Sequence, residues 1–245
     1  MSQDMISSFQ RYEVKFFLTP EQRECLMPEL EEHFEIDRYG LHTISNIYFD
    51  TDNYAITRDS IDKPVYKEKL RVRAYGVPEP ETGQVFVELK KKYDHVVYKR
   101  RIAVSVGDAN RFLRGGPDPA GADPQITHEI RYFMQRYQPV PKVYLSYQRI
   151  AMAGRENPDL RITMDQELLW RDYDLDLCKG AYGQRILPEN TTLMEIKVPG
   201  TMPLWLAHAL SSHQIYRSSF SKIGTCYTRF ILPDTFEKKV VTTHV

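Results

Sequence analysis

The sequence is poor in cysteine and has no excess of charge of either sign. Its three cysteines, Cys25, Cys178 and Cys226, are an odd number without CxxC spacing, which indicates neither a disulfide framework nor a zinc knuckle. The 33 basic and 33 acidic residues cancel, whereas proteins that bind nucleic acid through their bulk field are strongly basic. We therefore predict a cytoplasmic protein that binds no nucleic acid.

Long apolar runs and several common catalytic motifs are also missing. Nowhere do about 18 consecutive apolar residues occur, the length that a membrane-spanning helix needs, and residues 1–10 do not resemble a signal peptide. The seven histidines lack HxH and HExxH spacing, and neither a P-loop nor a Gly-x-Ser-x-Gly motif is present. These absences argue against a membrane segment in this chain, zinc hydrolysis, P-loop nucleotide binding and serine hydrolysis.

The chain nevertheless has the composition of a folded globular protein. Hydrophobic residues make up 42% of it, and no composition break divides its 245 residues. We predict a single domain over residues 1–245, with a core at about 9–230 and a tail at 231–245. Roughly eight strands with inserted helices predict an α+β fold, an antiparallel eight-stranded β-barrel that forms a tunnel, with helices packed outside and at its ends.

The stretch 66–75 carries its positive charges two residues apart. Because side chains alternate between the faces of a strand, four of its cations share one face. They are Lys67, Lys69, Arg71 and Arg73. The alternation returns at Glu88 with Lys90, and again at Lys99 with Arg101. So many cations facing one cavity would repel one another unless an anion neutralised them, so we predict a polyanion as the ligand.

The candidate cavity therefore contains residues that suit phosphate chemistry. Its cations are Lys15, Arg71, Arg73, Lys90, Arg101, Arg149, Arg161 and Lys197, and its carboxylates are Glu13, Glu88, Asp165 and Glu195. Arginine binds phosphate oxygens through two parallel hydrogen bonds, and carboxylates can hold a divalent metal that bridges phosphates. Structural ion pairs are the plainer alternative, for instance between Glu13 and Lys15 or between Arg161 and Asp165.

Several short motifs resemble one known family, in order and with plausible spacing. They are RYEVK at 11–15, KLRVRAYG at 69–76, VELK at 87–90, YQRIA at 147–151, RITMD at 161–165, EIK at 195–197 and FSK at 220–222. Together they resemble the VTC domain, the catalytic module of the vacuolar transporter chaperone polyphosphate polymerase. That family belongs to the triphosphate tunnel metalloenzymes, and the resemblance covers about residues 9–230.

The resemblance implies roles for individual residues. The catalytic phosphate contacts would be Lys15, Arg71, Arg73, Lys90, Arg149, Arg161 and Lys222. Further substrate contacts would come from Lys69, Lys99, Arg101, Lys197 and Ser221. Glu195 would hold Mn²⁺ or Mg²⁺, with Glu13 and Glu88 next in line.

The resemblance also implies a reaction, the transfer of the γ-phosphate of ATP or another nucleoside triphosphate to inorganic polyphosphate. Hydrolytic relatives open with Glu-x-Glu-x-Lys, whereas this chain has Arg11 in place of the first Glu. The loss of one carboxylate favours the polymerase branch, because hydrolysis relies on more carboxylates for metal binding and water activation. Two alternatives stay open: a triphosphate or polyphosphate hydrolase, and a non-catalytic protein that binds polyphosphate or nucleotide.

Overall fold

The computed structural model describes residues 11–94 and 96–234, and of Arg11 the backbone alone. Eleven strands and six α-helices lie among these residues, which confirms the α+β class. The strands are β1 (Arg11–Leu18), β2 (Phe34–Ile36), β3 (His42–Asp50), β4 (Tyr66–Tyr75), β5 (Gln84–Tyr93), β6 (Val96–Ser105), β7 (Val140–Gly154), β8 (Arg161–Arg171), β9 (Gln184–Arg185), β10 (Thr192–Pro199) and β11 (Arg217–Ser218). The helices are α1 (Pro20–His33), α2 (Ala55–Ile61), α3 (Val106–Leu113), α4 (Pro124–Tyr137), α5 (Leu204–Ser212) and α6 (Lys222–Cys226).

The chain divides into two compact units that are interleaved in sequence. Of the described residues, unit 1 comprises 11–42, Gln148–Glu167 and Pro188–Ser219, and unit 2 comprises 43–94, 96–147, Leu168–Leu187 and 220–234. Strands β7 and β8 each contribute residues to both units. The single domain predicted from composition stays a prediction.

Unit 1 is built on antiparallel strands in the order β11-β1-β10-β8-β7, with β2 beside β7. Alternate residues of its strands, such as Phe16, Ile162 and Ile196, are buried in one apolar cluster with Leu30 of α1 and Leu206 of α5. Helices α1 and α5 therefore cover one face of these strands. The intervening residues of each strand point to the opposite face, where the charged side chains lie.

The start of α1 forms as its sequence predicts. The Thr19 hydroxyl accepts a hydrogen bond from the Gln22 backbone N–H at 3.2 Å, and the Gln22 side chain accepts one from the Thr19 N–H at 3.0 Å. The Gln22 side-chain amide also donates to the carbonyl of His213, at the end of α5. This capping box therefore fixes both the first turn of α1 and its contact with α5.

Unit 2 has the antiparallel order β7-β3-β4-β5-β6, and β9 pairs with β8. Its apolar cluster joins Leu70 and Val72 of β4 and Val87 of β5 to Phe112 of α3 and Phe133 of α4. Helices α3 and α4 thus cover the face of β4 and β5 opposite to Arg71 and its neighbours.

The strand pairings do not form a closed ring among the described residues. The series ends at β11 in unit 1 and at β6 in unit 2, so the closed eight-stranded barrel stays a prediction. The sequence reading missed β2, β9 and β11, because a strand of two or three residues is too short to show alternation. The longer strands match their predicted positions to within a few residues.

Two further expectations concern membrane segments and the C-terminal tail. None of the helices in ranges 11–94 and 96–234 is both long and apolar enough to cross a membrane. Residues 231–234 of the predicted tail are helical, and residues 235–245 lie outside the described part of the chain.

The capping box of α1 gives the first testable prediction. Thr19→Ala removes the hydroxyl that accepts from the Gln22 N–H, and we expect it to lower the free energy of unfolding by about 1 kcal/mol. Chemical denaturation followed by circular dichroism measures the change. Thr19→Ser is the matched control, because it keeps the hydroxyl and should stay near the wild-type value; equal losses in both variants would contradict the assignment.

Candidate functional site

Glu88 is the centre of the charged face of unit 2. In the cross-strand register it lies opposite Arg71 of β4 on one side and opposite Arg101 of β6 on the other. Its side chain is 1% exposed, although it is a carboxylate. A buried carboxylate is stable only when cations and hydrogen-bond donors surround it.

Four cations supply that environment. Both Arg71 Nε and Arg71 Nη2 contact Glu88 Oε2, at 2.8 and 2.7 Å. Lys99 Nζ lies 2.8 Å from Glu88 Oε1. Arg73 Nε and Arg101 Nε lie farther away, 3.8 Å from Oε2 and 4.0 Å from Oε1. One negative charge therefore brings together two of the predicted catalytic contacts, Arg71 and Arg73. It also brings in two of the predicted substrate contacts, Lys99 and Arg101.

The charges of this cluster shift the pKa values of its members. Burial on its own would raise the pKa of Glu88, but the charges of Arg71 and Arg73 outweigh burial and lower this pKa to about 2. For Arg71 burial acts in the opposite direction and would lower the pKa, but the Tyr48 hydroxyl and the Glu88 carboxylate outweigh burial and raise it. Glu88 is therefore ionised and Arg71 is protonated across the physiological pH range.

Neighbouring polar side chains hold the two arginines in place. Arg71 Nη1 donates to the Tyr48 hydroxyl at 3.0 Å, and Arg73 Nε donates to Asn46 Oδ1 at 2.9 Å. Arg73 Nη2 donates to the Tyr147 hydroxyl at 3.1 Å. Because each guanidinium is held by several partners, its orientation is fixed before any ligand binds.

Lys222, at the first position of α6, joins this group through an aromatic ring. Its ammonium lies 4.8 Å from the centre of the Tyr147 ring, whose hydroxyl accepts from Arg73. The preceding Ser221 is the N-cap of α6, and its hydroxyl accepts from the Gly224 N–H at 3.3 Å. Lys222 is therefore near the arginine cluster, whereas the contact recorded for Ser221 is structural.

The charged face of unit 1 is organised around Lys15. Its ammonium lies 3.2 Å from Glu13 Oε1 and 3.4 Å from Glu195 Oε1. Arg149 binds Asp165 through two hydrogen bonds of 2.5 and 2.7 Å, and its Nη2 lies 3.8 Å from Glu195 Oε2. Four predicted site residues, Lys15, Glu13, Glu195 and Arg149, therefore form one network with Asp165.

The remaining candidates lie at the edges of these two networks. Arg161 is exposed, and its Nε donates to the carbonyl of Pro158 at 3.1 Å. Lys197 lies opposite Glu13 and Arg161 in the register of unit 1. In unit 2, Lys69 lies opposite Lys90, and Lys90 lies opposite Lys99. The prediction that the residues of both units line one tunnel stays a prediction.

The carboxylates of unit 1 fit a divalent metal better than Glu88 does. Glu88 is surrounded by four cations, whereas Lys15 and Arg149 share three carboxylates, those of Glu13, Asp165 and Glu195. Thr163 lies opposite Glu195 in the register, and its hydroxyl is buried with no hydrogen-bond partner among the described residues. No group of three or more His, Cys, Asp or Glu side chains in residues 11–94 and 96–234 could hold a metal on its own. Mg²⁺ needs only one or two carboxylates when substrate phosphates and water supply its other ligands.

Sequence reasoning overlooked the polar side chains that hold the arginines. Asn46 and Tyr48 lie opposite Arg73 and Arg71 in the register of β3 and β4, and both side chains are directed to the charged face. Their two-residue spacing within a strand was the available signal. Tyr147 belongs to the YQRIA motif, two residues before Arg149, but the motif alone does not indicate its role.

Comparison with known proteins gives one family match and several structural likenesses. The family model of the VTC domain matches residues 10–231. No curated protein matches the chain. A candidate adenylate cyclase from Bacillus halodurans shares 16% sequence identity at a TM-score of 0.52, over 85% of this chain and 92% of that one. A second, from Vibrio parahaemolyticus, shares 12% identity at a TM-score of 0.45, over 90% and 99%. The first likeness indicates a shared fold and nothing more.

The environment of Glu88 predicts a stability effect with a defined pH dependence. A carboxylate whose folded pKa of about 2 lies below its ordinary value of 4.5 contributes stability above pH 4.5, and this contribution is lost as the pH falls through about 2. Glu88→Gln should therefore lower the free energy of unfolding at neutral pH by about 3 kcal/mol. The difference from wild type should shrink as the pH falls from 4.5 towards 2.

Urea denaturation at a series of pH values measures both effects. Glu32→Gln, at an exposed position of α1, is the control and should stay close to wild type at every pH. A loss in Glu88→Gln that stayed constant across the pH series would contradict an ionised, cation-bound Glu88.

Proposed function

We propose that this chain, which belongs to the VTC domain family, transfers the γ-phosphate of a nucleoside triphosphate to inorganic polyphosphate in a basic, tunnel-forming barrel. The observation that carries the proposal is the group of four cations around one buried carboxylate in unit 2. One negative charge offsets only part of the charge of four cations, so a bound polyphosphate would stabilise the group further. Family membership favours phosphate over other anions.

The arrangement of the arginines suits phosphoryl groups in particular. Arg71 and Arg73 lie two residues apart on one strand, and their guanidinium groups are oriented by Tyr48, Asn46 and Tyr147. Preorganised guanidinium groups can bind the charged oxygens of a transferring phosphoryl group without reorganising during the reaction. Lys222 and Lys99 add point charges to the same group.

Unit 1 contains the carboxylates that suit a metal. Glu195 and Glu13 are the residues we assign to Mn²⁺ or Mg²⁺, and the buried Thr163 lies opposite Glu195 in the strand register. A bound divalent ion would polarise phosphate oxygens and offset their charge. Lys15 and Arg149, which contact Glu195, would keep this carboxylate oriented.

The proposed reaction needs no nucleophilic side chain. A terminal oxygen of the polyphosphate attacks the γ-phosphorus, a new P–O–P bond forms, and the bond to the β-phosphate oxygen breaks to release nucleoside diphosphate. The cations hold donor and acceptor in line and offset the charge of the transition state. Both oxygens of Asp165 accept hydrogen bonds from Arg149, so this carboxylate is poorly suited to activating water. That contact favours transfer over hydrolysis.

Removing the two arginines tests phosphate binding directly. Arg71→Ala combined with Arg73→Ala should weaken triphosphate binding by at least about 100-fold, because each charge-assisted contact contributes between about 1.5 and 3 kcal/mol. Isothermal titration calorimetry measures the affinity, and a thermal melt establishes that the variant is folded. The control is Arg111→Ala with Arg136→Ala, which removes the same charge from helices α3 and α4. Unchanged affinity in a folded Arg71/Arg73 variant would exclude these residues from the site.

Product analysis tests the reaction and the metal ligand together. We expect the purified protein to convert ATP to polyphosphate in the presence of Mn²⁺, and we expect Glu195→Gln to abolish this turnover while keeping the fold. Release of phosphate alone would identify a hydrolase, and binding that persists in EDTA without turnover would identify a non-catalytic binder. Glu156→Gln, at an exposed position, is the control. Full metal-dependent activity in Glu195→Gln would show that residues other than Glu195 hold the metal.

A further inference from the structure

The cationic face of unit 2 continues beyond Glu88 towards the turn between β5 and β6. In the register, Lys69 lies opposite Lys90, and Lys90 lies opposite Lys99. One further pair of residues along the strands, Lys67 lies opposite Lys92. Five lysines therefore occupy two consecutive rows of one strand face, which we call the lysine rows.

Like charges directly opposite one another destabilise a sheet, because the Cβ atoms of such pairs are only about 5 Å apart. Lys67 is half-buried and donates to the carbonyl of Ser60 at 3.0 Å. Burial, and then the positive charges of Lys92 and Lys63, lower the pKa of Lys67. Glu88 belongs to the next row, and both of its oxygens already contact cations, Oε2 that of Arg71 and Oε1 that of Lys99, which reaches it from the lysine rows. An anion that reached the lysine rows would relieve this repulsion.

The length of the charged face indicates what kind of anion would fit. Lys67 and Arg73 are six residues apart on β4, which corresponds to about 20 Å along an extended strand. Three linked phosphates are shorter than this distance, so a triphosphate held at Arg71 and Arg73 would not reach Lys67. A long linear chain that carries a negative charge on every phosphate would contact all rows at once.

We propose that Lys67 and Lys92 form a remote anion subsite, which binds phosphates of a long inorganic polyphosphate beyond those held next to Glu88. This inference rests on the proposed function and adds to it a preference for long linear chains over triphosphate. The subsite holds its ligand by charge and performs no chemistry. It makes affinity depend on chain length, because each additional occupied row adds ionic contacts.

The test compares two ligands on one variant, Lys67→Gln with Lys92→Gln. We expect its affinity for long-chain polyphosphate to fall on the order of tenfold, since each of two partly exposed charge contacts contributes a few-fold. Its affinity for triphosphate should stay within about twofold of wild type, because triphosphate does not reach these rows. The slope of the logarithm of the long-chain affinity against the logarithm of the salt concentration should also become less steep, by about two. Calorimetry at several salt concentrations measures all three quantities.

Two matched variants separate local contacts from general charge effects. Arg111→Gln with Arg136→Gln removes the same net charge from α3 and α4 and should leave both affinities unchanged. Lys67→Arg with Lys92→Arg keeps the charge and should restore long-chain binding. The subsite would be overturned if the α3 and α4 variant lost as much long-chain affinity as Lys67→Gln with Lys92→Gln. It would also be overturned if Lys67→Arg with Lys92→Arg, in a folded protein, did not restore long-chain binding.

The outcomes also distinguish this inference from the proposed function. If wild type binds triphosphate and long chains but the glutamine variant loses neither, or loses both by the same factor, the subsite is wrong and the function stands. If wild type binds neither ligand, the proposed function itself fails. A single-stranded oligonucleotide of matched charge is a third ligand. Tighter binding of the oligonucleotide than of polyphosphate would overturn the assignment to inorganic polyphosphate.

Discussion

A single buried carboxylate determines how the charges of unit 2 are arranged. Glu88 lies on the middle one of three neighbouring strands, and it draws Arg71 from one neighbour and Lys99 from the other. Without it, the cations would repel one another and turn towards solvent. With it, they are held at one level of the strands and still carry an excess of positive charge. The contact that stabilises the folded unit therefore also prepares it for an anion.

The two units differ in the balance of charge on their polar faces. In unit 1, the network of Lys15 and Arg149 includes three carboxylates, those of Glu13, Asp165 and Glu195. In unit 2, four cations surround Glu88 alone. A carboxylate-rich network can accept a further cation, and a cation-rich group can accept a further anion. The polar faces of the two units therefore suit ions of opposite charge, a cation in unit 1 and an anion in unit 2.

The sequence predicted the elements well where a pattern repeats within the element itself. Alternation identified β4 and β5 and the shared face of Arg71 and Arg73, and the Thr19 and Gln22 spacing identified the start of α1. It could not predict which carboxylate each cation would choose, because such partners lie on different strands. The sequence suggests an ion pair between Arg161 and Asp165 as a structural alternative. In the structure, Asp165 accepts hydrogen bonds from Arg149, which lies on the neighbouring strand. Cross-strand partners depend on register, which alternation alone does not fix.

The interleaving of the two units has a consequence for synthesis on the ribosome. Among the described strands, β1 is synthesised before its partners, because Arg11 pairs with Pro199 and Lys15 pairs with Ser218. Unit 1 therefore stays incomplete until β10 and β11 have left the exit tunnel, and β1 must wait for them without its native pairing. Contacts so distant in sequence make folding slow and leave the nascent chain exposed to aggregation. The apolar side of β1, with Phe16 and Leu18, is then the segment that most needs protection during translation.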